Sequence, residues 1–312
     1  MPFITVTLNP CIDKHFWVER LVPEVKLSAR DVRLYPGGGG INVARAICRL
    51  GGDALALWSC GGSVGEVLAR LLDSENVPHD PLCILDSVRE NLIVTDASSG
   101  QQYRFGMPGP ELTPDEREAW LLHVRKAPSS PEYAVISGSL PHNAPVEWYG
   151  ELIREMKRKA RVVVDAKGEA LVKATDVGVY LVKPSLREIE ELTGRRLLED
   201  DQIEQAARGL IQRGAAEVIL VSLGRGGALL ATAELTVHLS APTVPVRSAV
   251  GAGDSMVGGL VLALAQGRSL SDAARFGVAA AAAAVMQEGT ELCHRDDANR
   301  LFAQVRCEEV RR

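Results

Sequence analysis

Short apolar runs recur along the whole chain, and most of them are nearly continuous rather than alternating with polar residues. This pattern is typical of strands covered on both faces, as in a parallel sheet between two layers of helices. Segments with helical hydrophobic spacing lie between the runs, so the alternation predicts an α/β doubly wound fold. The predicted strands are 3–8, 54–58, 133–136, 162–164, 179–182, 218–221, 228–231 and 235–239, and the predicted helices are 41–50, 65–72, 114–124, 145–159, 186–192 and 201–212.

The early and central runs end at polar residues or at glycine. Ligands in open α/β sheets bind outside the carboxyl ends of the strands, so these residues predict a cleft along one edge of the sheet. Strands in general end in polar loops, but that alone does not explain a lysine, an aspartate and several serines at one edge. The residues at this edge are Asn9, Ser59, Cys60, Gly61, Ser137, Gly138, Ser139, Asp165, Lys183, Ser222 and Gly224.

Two pairs of segments differ from this pattern, because their apolar residues alternate with polar ones. We interpret these segments as half-buried strands of a small sheet that forms a lid, inserted at about 12–35 and 89–107 into a single domain spanning 1–312. The predicted strands of this sheet are 16–18, 31–35, 91–96 and 101–107.

The second pair predicts a hairpin, because the 97–100 segment, Ala-Ser-Ser-Gly, suits a tight connection. If Asp96 pairs with Gln101, one face of the hairpin is apolar. The residue pairs on that face are Val94 with Tyr103 and Leu92 with Phe105. A small sheet that cannot bury such a face often dimerises, so we expect a homodimer formed through the lid sheets.

The opposite face of the hairpin carries Arg89 and Arg104. Two guanidinium groups on one face can clamp a dianion, because their forked donors match phosphate oxygens. The alternative is a pair of solvated surface arginines. The pattern therefore indicates a phosphorylated small-molecule substrate.

Charge and composition exclude several classes of function. The chain has 312 residues and a formal net charge of −5, which argues against a protein that coats nucleic acid. The longest run of apolar or small residues, 276–286, is too short to span a bilayer, and the first residues lack the basic region of a secretory signal. The six cysteines are scattered without a C-x-x-C pair, which is typical of reduced thiols in a cytoplasmic enzyme.

The strongest local motif spans 248–259 and leads into an apolar helix predicted over 255–265. Gly251, Ala252 and Gly253 precede that helix, where converging backbone N–H groups and the helix dipole create an anion hole. Asp254 lies at the predicted N-cap position. Capping is a common role for aspartate, but capping alone does not require Gly-Ala-Gly before it. Asp254 can instead accept a proton from a hydroxyl that attacks phosphorus.

A second motif, 36–45, places four glycines before a helix and projects Asn42 from its first turn. Glycines at a helix start let a ligand approach the backbone closely. The motif is not a Rossmann fingerprint, because Val43 stands at the third glycine position, and the chain has no Gly-Lys pair for a Walker A loop. His294-Arg295-Asp296 spells a protein-kinase triplet without its other motifs, and we interpret it as the start of a C-terminal helix.

Together, Asn9-Pro10-x-x-Asp13, the 37–45 segment and Gly251-Ala252-Gly253-Asp254 resemble the ribokinase-like (PfkB) family of carbohydrate kinases. Their order and spacing match the family from residue 3 to beyond 290. The resemblance implies a ribokinase-like three-layer α/β/α domain with a mostly parallel central sheet and a small inserted β-sheet lid. It also implies ATP-dependent phosphorylation of D-fructose 6-phosphate at the 1-hydroxyl, giving fructose 1,6-bisphosphate and ADP.

The resemblance also implies roles for individual residues. Asp254 matches the catalytic base, and Gly251, Ala252 and Gly253 match the anion hole for the transferred phosphoryl group. The residues that match contacts to the sugar and its phosphate are Asp13, Lys26, Gly38, Gly39, Asn42, Arg89, Arg104 and Ser139. Those that match the ATP side are Lys183, Ser185, Ser222, Gly224, Gly226 and Gly227. Those that match a loop binding a monovalent cation, potassium, are Ser248, Val250, Ala284, Gln287 and Gly289.

One departure concerns magnesium. Many members carry Asn-x-x-Glu where this chain has Ser185-Leu186-Arg187-Glu188. Glu188 is kept and implies Mg²⁺ held through water, while Ser185 lacks the amide. The expected cofactors are therefore ATP and Mg²⁺, together with K⁺.

Other substrates remain open. Tagatose-6-phosphate kinase and 1-phosphofructokinase are alternatives within the family, and a catalytically silent sugar or nucleotide sensor is an alternative outside enzymes. Asp254 and the anion hole argue against a sensor, and two phosphate-facing arginines argue against an uncharged sugar or nucleoside. We expect neither a nucleic acid nor a membrane as partner.

Overall fold

A computed structural model describes residues 3–128 and 131–309. Within them, ten strands form one large sheet and ten α-helices cover it. The strands of the large sheet are β1 Phe3–Thr7, β4 Ala54–Cys60, β5 His79–Cys83, β8 Tyr133–Ser137, β9 Arg161–Asp165, β10 Val179–Val182, β11 Ala216–Ser222, β12 Ala228–Ala231, β13 Thr236–Ser240 and β14 Arg306–Glu309. The helices are α1 Gly39–Arg49, α2 Gly62–Ser74, α3 Pro114–Lys126, α4 Val146–Lys157, α5 Gly168–Val177, α6 Leu186–Thr193, α7 Asp200–Gln212, α8 Ala252–Ala265, α9 Leu270–Val285 and α10 Arg295–Phe302.

The large sheet is parallel over most of its width. Its order is β14-β13-β12-β11-β10-β9-β8-β1-β4-β5, and the pairs from β11 to β5 are parallel, while the pairs from β11 to β14 are antiparallel. The predicted α/β fold is confirmed, and the parallel strands bring their carboxyl ends to one edge.

Two core layers explain why the apolar runs are continuous. Successive side chains of a strand point to opposite faces of the sheet. Val163 accordingly packs in the layer that holds α1, α2, α8 and α9, and Val162 and Val164 pack in the layer that holds α3, α4, α5 and α7. Because both faces are covered by helices, apolar residues are favoured at successive positions of such a strand. The three-layer arrangement of the resemblance is therefore confirmed.

A separate small sheet has the order β3-β2-β6-β7, formed by β2 Cys11–Val18, β3 Arg30–Gly37, β6 Arg89–Asp96 and β7 Gln102–Phe105. The hairpin register is confirmed, because the Asp96 N–H donates to the Gln101 carbonyl and Leu92 pairs with Phe105. The central pair, β2 with β6, is parallel, so the sheet is mixed.

Four elements were missing from the sequence-based prediction: β5, α5, α9 and β14. β5 contains Pro81, which has no N–H to donate and weakens the pattern of a strand. β14 is exposed along its length, so it lacks the apolar run on which the prediction depends. β2 begins at Cys11 rather than at 16, because its first half carries the polar residues Asp13 and Lys14.

Two predictions about helix starts have different outcomes. α10 begins at Arg295 with His294 as N-cap, as predicted. The prediction for the helix after the 248–259 motif was wrong by three residues, because α8 begins at Ala252 with Gly251 as N-cap. Asp254 therefore lies inside the first turn and does not cap the helix. No helix of the described residues has the length and apolar character needed to cross a membrane.

Candidate active site

The glycine run before α1 brings that helix against the ends of two strands. A Cβ atom at Gly39 would overlap the Ser137 side chain, and one at Gly40 would overlap the Val6 carbonyl. The Thr7 hydroxyl accepts a hydrogen bond of 2.7 Å from the Ile41 N–H, which fixes the start of the helix. The glycines are therefore required by close packing, and this packing places Asn42 at the carboxyl edge of the sheet.

The 248–259 motif gives α8 an unusual start. Gly251 has a left-handed φ of 74°, and the Ser255 N–H donates to its carbonyl at 2.8 Å. Because the first N–H groups of a helix lack partners within it, those of the first turn are free to face a ligand. An anion at this position would gain both these donors and the helix dipole.

Asp254 links the two glycine motifs. Its Oδ2 accepts a hydrogen bond of 2.9 Å from the Asn42 side-chain amide. The pKa of Asp254 is raised to about 7, first by burial and then by the nearby Asp165 carboxylate, while the Asn42 hydrogen bond and Lys183 act in the opposite direction. A carboxylate with this pKa is suited to general base catalysis near neutral pH.

Lys183 lies next to the start of α8. Its ammonium forms a 3.1 Å ion pair with Asp165, and both side chains are largely buried. Burial lowers the pKa of Lys183, but the carboxylates of Asp165, Glu188 and Asp254 raise it more, so the pKa is raised and the lysine stays charged. A Cβ atom at Gly253 would lie 3.5 Å from the Lys183 Nζ, so this cation adjoins the anion hole.

Several candidate sugar contacts lie beside this centre. Asp13 is buried on β2, where its Oδ1 accepts a 3.0 Å hydrogen bond from Asn91. Burial and the neighbouring Asp13 raise the pKa of the Cys11 thiol well above its ordinary value, so the thiol stays protonated. The Ser139 hydroxyl accepts a 3.1 Å hydrogen bond from the Asn9 amide.

The candidate phosphate clamp is distributed over the small sheet. Arg89 donates to the Asn9 carbonyl at 3.4 Å and to the Met107 carbonyl at 3.1 Å, which places it next to the cleft. Arg104 is exposed on β7 and donates to Gln102 of its own strand. Lys26 is exposed in the connection between β2 and β3. The two arginines therefore have separate partners within this chain.

The candidate ATP residues follow β10 and β11. Ser222 ends β11, and its N–H donates to the Pro184 carbonyl at 2.8 Å, which brings Ser185 beside it. Gly224 has space around it that a ligand could enter. A Cβ atom at Gly227 would overlap the Leu239 carbonyl, so packing against β13 already requires glycine there.

Ser185 and Glu188 cap α6. The Ser185 hydroxyl accepts a hydrogen bond of 3.3 Å from the Glu188 N–H, and Glu188 Oε2 accepts one of 2.7 Å from the Ser185 N–H. This reciprocal arrangement is a capping box. Serine therefore has a structural role at the position where many members carry asparagine.

A cavity of about 570 Å³ lies beside Ser139 and Glu188 at this edge of the sheet. Residues that line it include Ser139, Lys167, Gly168, Arg187, Glu188 and Glu191.

A family model for pfkB family carbohydrate kinases matches residues 6–297. The chain belongs to this family. It is 42% identical over 301 residues to the ATP-dependent 6-phosphofructokinase isozyme 2 of Escherichia coli, covering 96% of this chain and 97% of that protein. It is 41% identical over 300 residues to the isozyme 2 of Mycobacterium tuberculosis, covering 96% and 88%. It is 33% identical over 291 residues to the 1-phosphofructokinase of Bacillus subtilis, covering 92% and 94%.

Solved structures give the same result. This kinase superposes on phosphofructokinase-2 from Escherichia coli in complex with potassium with a TM-score of 0.93 and 42% identity, covering 97% of this chain and 98% of that one. The corresponding complex with fructose-6-phosphate gives a TM-score of 0.91 and 41% identity, with the same coverage. A tetrameric inhibited form of that enzyme gives 0.91 and 41%, again over 97% and 98%.

The candidate potassium residues of this kinase lie just before α8 and at or after the end of α9. The N–H groups of Arg247 and Ser248 both donate to the Val285 carbonyl, which ties the segment before α8 to the end of α9 next to Ala284. Hydroxyl and carbonyl oxygens are ligands that hard cations prefer, so the donor set fits. Within residues 3–128 and 131–309, no cluster of three or more histidine, cysteine or acidic residues could hold a metal ion.

Two residues of the site were given no role by the sequence. Asp165 ends an apolar run, which marked it as part of the edge, but nothing in the sequence shows that it pairs with Lys183. Arg45 belongs to the 36–45 motif, but an arginine inside a helix is usually a surface residue. The structure buries it completely.

Proposed function

We propose that this kinase transfers the γ-phosphoryl group of ATP to the 1-hydroxyl of fructose 6-phosphate, giving fructose 1,6-bisphosphate and ADP. The observation that carries the proposal is the hydrogen bond between Asn42 and Asp254. It joins the motif that matches sugar contacts to the motif that matches the anion hole. The relatives named 6-phosphofructokinase are also more similar to the chain, at 41–42% identity, than the 1-phosphofructokinase at 33%.

In the proposed reaction, an Asp254 carboxylate oxygen accepts the proton of the sugar 1-hydroxyl as the oxygen attacks the γ-phosphorus. The N–H groups of Ala252 and Gly253 at the start of α8, together with the Lys183 ammonium, stabilise the charge on the transferred group. Phosphoryl transfer needs little covalent chemistry from the protein, so alignment and charge stabilisation account for most of the catalysis.

We propose that Asp13, Gly38, Gly39, Asn42 and Ser139 hold the sugar, and that Arg89, Arg104 and Lys26 contact its 6-phosphate. On the nucleotide side, Lys183, Ser185, Ser222, Gly224, Gly226 and Gly227 would contact ATP. Mg²⁺ bound to the ATP phosphates would neutralise their charge, and Glu188 would hold it through water. Ser248, Val250, Ala284, Gln287 and Gly289 would hold K⁺.

We also propose a homodimer formed through the small sheet. Leu34, Leu92 and Phe105 lie in one row across its strands through Lys14, and Leu34 and Phe105 are 38% and 46% exposed. An apolar row of this kind is stabilised by burial against a second copy. Phe105→Glu should convert a dimer to a monomer in light scattering, and a monomeric parent protein would contradict the proposal. An enzyme that uses ATP and a sugar phosphate is expected in the cytoplasm.

Substrate identity is tested by ADP release with fructose 6-phosphate, tagatose 6-phosphate, fructose 1-phosphate and ribose, with Asp254→Asn as the control. The proposal predicts the highest kcat/KM with fructose 6-phosphate. A higher value with either other phosphorylated sugar would reassign the substrate. ATP binding without ADP release from any sugar would indicate a sensor.

A further inference from the structure

A chain of buried side chains lies behind Asp254. Arg45 has no exposed surface, and its guanidinium is held by Glu75 through bonds of 2.9 Å and 2.6 Å from Nε and Nη2. Its remaining edge, Nη1, donates to the Asn42 Oδ1 at 3.1 Å and to the Pro36 carbonyl at 3.0 Å. Asn42 in turn donates to Asp254. The order is Glu75, Arg45, Asn42, Asp254.

The direction of this chain follows from donor and acceptor chemistry. A guanidinium has donors and no acceptor, so the side chain of Asn42 must present its oxygen to Arg45. The amide nitrogen then points to the opposite side, where Asp254 lies. Without Arg45, the amide of Asn42 could rotate by half a turn and present its oxygen to Asp254. That orientation would favour a protonated carboxyl, which can donate, over the carboxylate that a base requires.

We propose that Arg45 is a positioning residue for the phosphoryl-transfer step, because it fixes the orientation in which Asn42 donates to Asp254. Glu75 serves the same purpose one step further back, since its two oxygens hold Nε and Nη2 of the guanidinium. The proposal deepens the proposed function and rests on it, because it takes Asp254 as the base.

The other groups that face Asp254 make this hydrogen bond important. Asp165 from β9 and Asp13 from β2 raise the pKa of Asp254, and Lys183 after β10 lowers it. The neutral Cys11 thiol also lies close enough to sense the charge of Asp254. Asn42 and Lys183 both stabilise the carboxylate against two like charges and burial. If Asn42 turns its oxygen towards Asp254, its contribution to this stabilisation is lost.

The alternative is that Arg45 is a structural residue that ties α1 to the end of α2. Arg45→Lys separates the two roles, because one ammonium can pair with Glu75 but cannot also span to Asn42. The matched control is Arg208→Lys. Arg208 forms an ion pair of 2.9 Å with Glu204 on α7, both side chains are mostly buried, and neither belongs to the site.

The experiment measures kcat/KM for fructose 6-phosphate against pH, together with the melting temperature. A hydrogen bond to a charged group corresponds to about one to two pH units, so Arg45→Lys should move the acid limb upward by that amount. Its kcat should fall while the KM for ATP stays close to that of the parent. Arg208→Lys should lower the melting temperature and leave the limb in place.

Glu75→Gln provides a second variant in case Arg45→Lys does not fold. Glutamine has the shape of glutamate but no charge, so it binds the guanidinium more weakly. The acid limb should therefore shift in the same direction as in Arg45→Lys, by a smaller amount. A folded Arg45→Lys or Glu75→Gln enzyme whose acid limb coincides with that of the parent would overturn the proposal. A parent enzyme without activity on fructose 6-phosphate would instead contradict the proposed function.

Discussion

Helices α6 and α8 both begin beside Lys183, and each carries an acidic residue at the third position of its first turn. In α6, Glu188 bends back to the N-cap Ser185 and completes a capping box. In α8, the N-cap is Gly251 and makes no side-chain cap, and Asp254 reaches across to Asn42. The same position therefore stabilises one helix and, in the other, supplies the carboxylate that we propose as the base.

The electrostatic consequence is opposite at the two sites. A capping glutamate accepts from backbone N–H groups and gains stability from the helix dipole. Asp254 is held among other carboxylates in a buried place, and its pKa is raised to about 7. A carboxyl whose pKa is raised on folding lowers the stability of the native state at pH values above its ordinary pKa. If Asp254 is the base, as proposed, the fold gives up stability at this position to keep that base near neutral pH.

The largest loss of activity should follow replacement of Asp254, the proposed base. Asp254→Asn keeps the size and the hydrogen-bonding capacity of the side chain but cannot accept the hydroxyl proton. A general base contributes about 10²–10⁴ in rate, so kcat should fall by that factor in a coupled assay of ADP release.

Thermal melting is the control for this variant. Because the ionised carboxylate destabilises the native state, Asp254→Asn should melt at a higher temperature than the parent at pH 8, and the gain should disappear near pH 3. A variant with near-parental kcat would remove Asp254 from the role of base.

Replacing Glu188, in the first turn of α6, should lower activity less than replacing Asp254. Glu188→Gln retains a capping box, because glutamine can also bond back to the N-cap N–H. If Glu188 holds Mg²⁺ through water, activity should fall by about 10–100-fold, as for other outer ligands, mainly through a higher KM for Mg-ATP. A loss as large as that of Asp254→Asn would mean that the two acids do not differ in the way proposed.

A serine N-cap like that of α6 should lower the stability of the protein when it is placed at the start of α8. Serine at position 251 would have to adopt a φ near 74°, and its Cβ would overlap the Leu292 side chain. A left-handed conformation and overpacking each cost about 1–2 kcal/mol or more, so Gly251→Ser should lower the free energy of unfolding by about 2–4 kcal/mol. Equal or higher stability in urea unfolding would contradict this description of the helix start.

Removal of the serine N-cap of α6 should change stability least among these variants. Ser185→Ala eliminates the hydroxyl that accepts from the Glu188 N–H, and loss of an N-cap costs about 1 kcal/mol. For a domain of this size the melting temperature should fall by about 2–4 °C or less. Because Ser185 is also proposed to contact ATP, the KM for ATP should rise while the kcat is retained, and a loss of kcat without a loss of stability would indicate a direct role in catalysis.

The sequence predicts those parts of the fold in which local pattern and tertiary packing agree. Val162, Val163 and Val164 are apolar because layers of helices cover both faces, so their strand is visible as a continuous run. The register of the β6–β7 hairpin follows from the alternation of apolar and polar residues along its strands. Pro81 and the exposed β14 carry no such pattern, because pairing at an edge of the sheet places few demands on side chains.

The sequence indicates which residues belong to the candidate site better than it indicates how they are arranged in space. The glycine motifs mark both helix starts, but the role of Gly227 in packing becomes visible only with Leu239 beside it. Asp254 reads as an N-cap because aspartate before an apolar helix usually is one. Its partners, Asn42 and Asp165, are far away in sequence, and a pattern within one segment cannot reveal which distant charges meet.

The most direct test of the account is the pH dependence of kcat/KM for fructose 6-phosphate in the parent enzyme and in Asp254→Asn. Only the ionised carboxylate can accept the hydroxyl proton, so the parent value should rise tenfold per pH unit below the pKa and level off above about 7. In Asp254→Asn, the small residual activity should show no such limb. An unchanged limb in that variant would assign the titration to another group and contradict the role of Asp254.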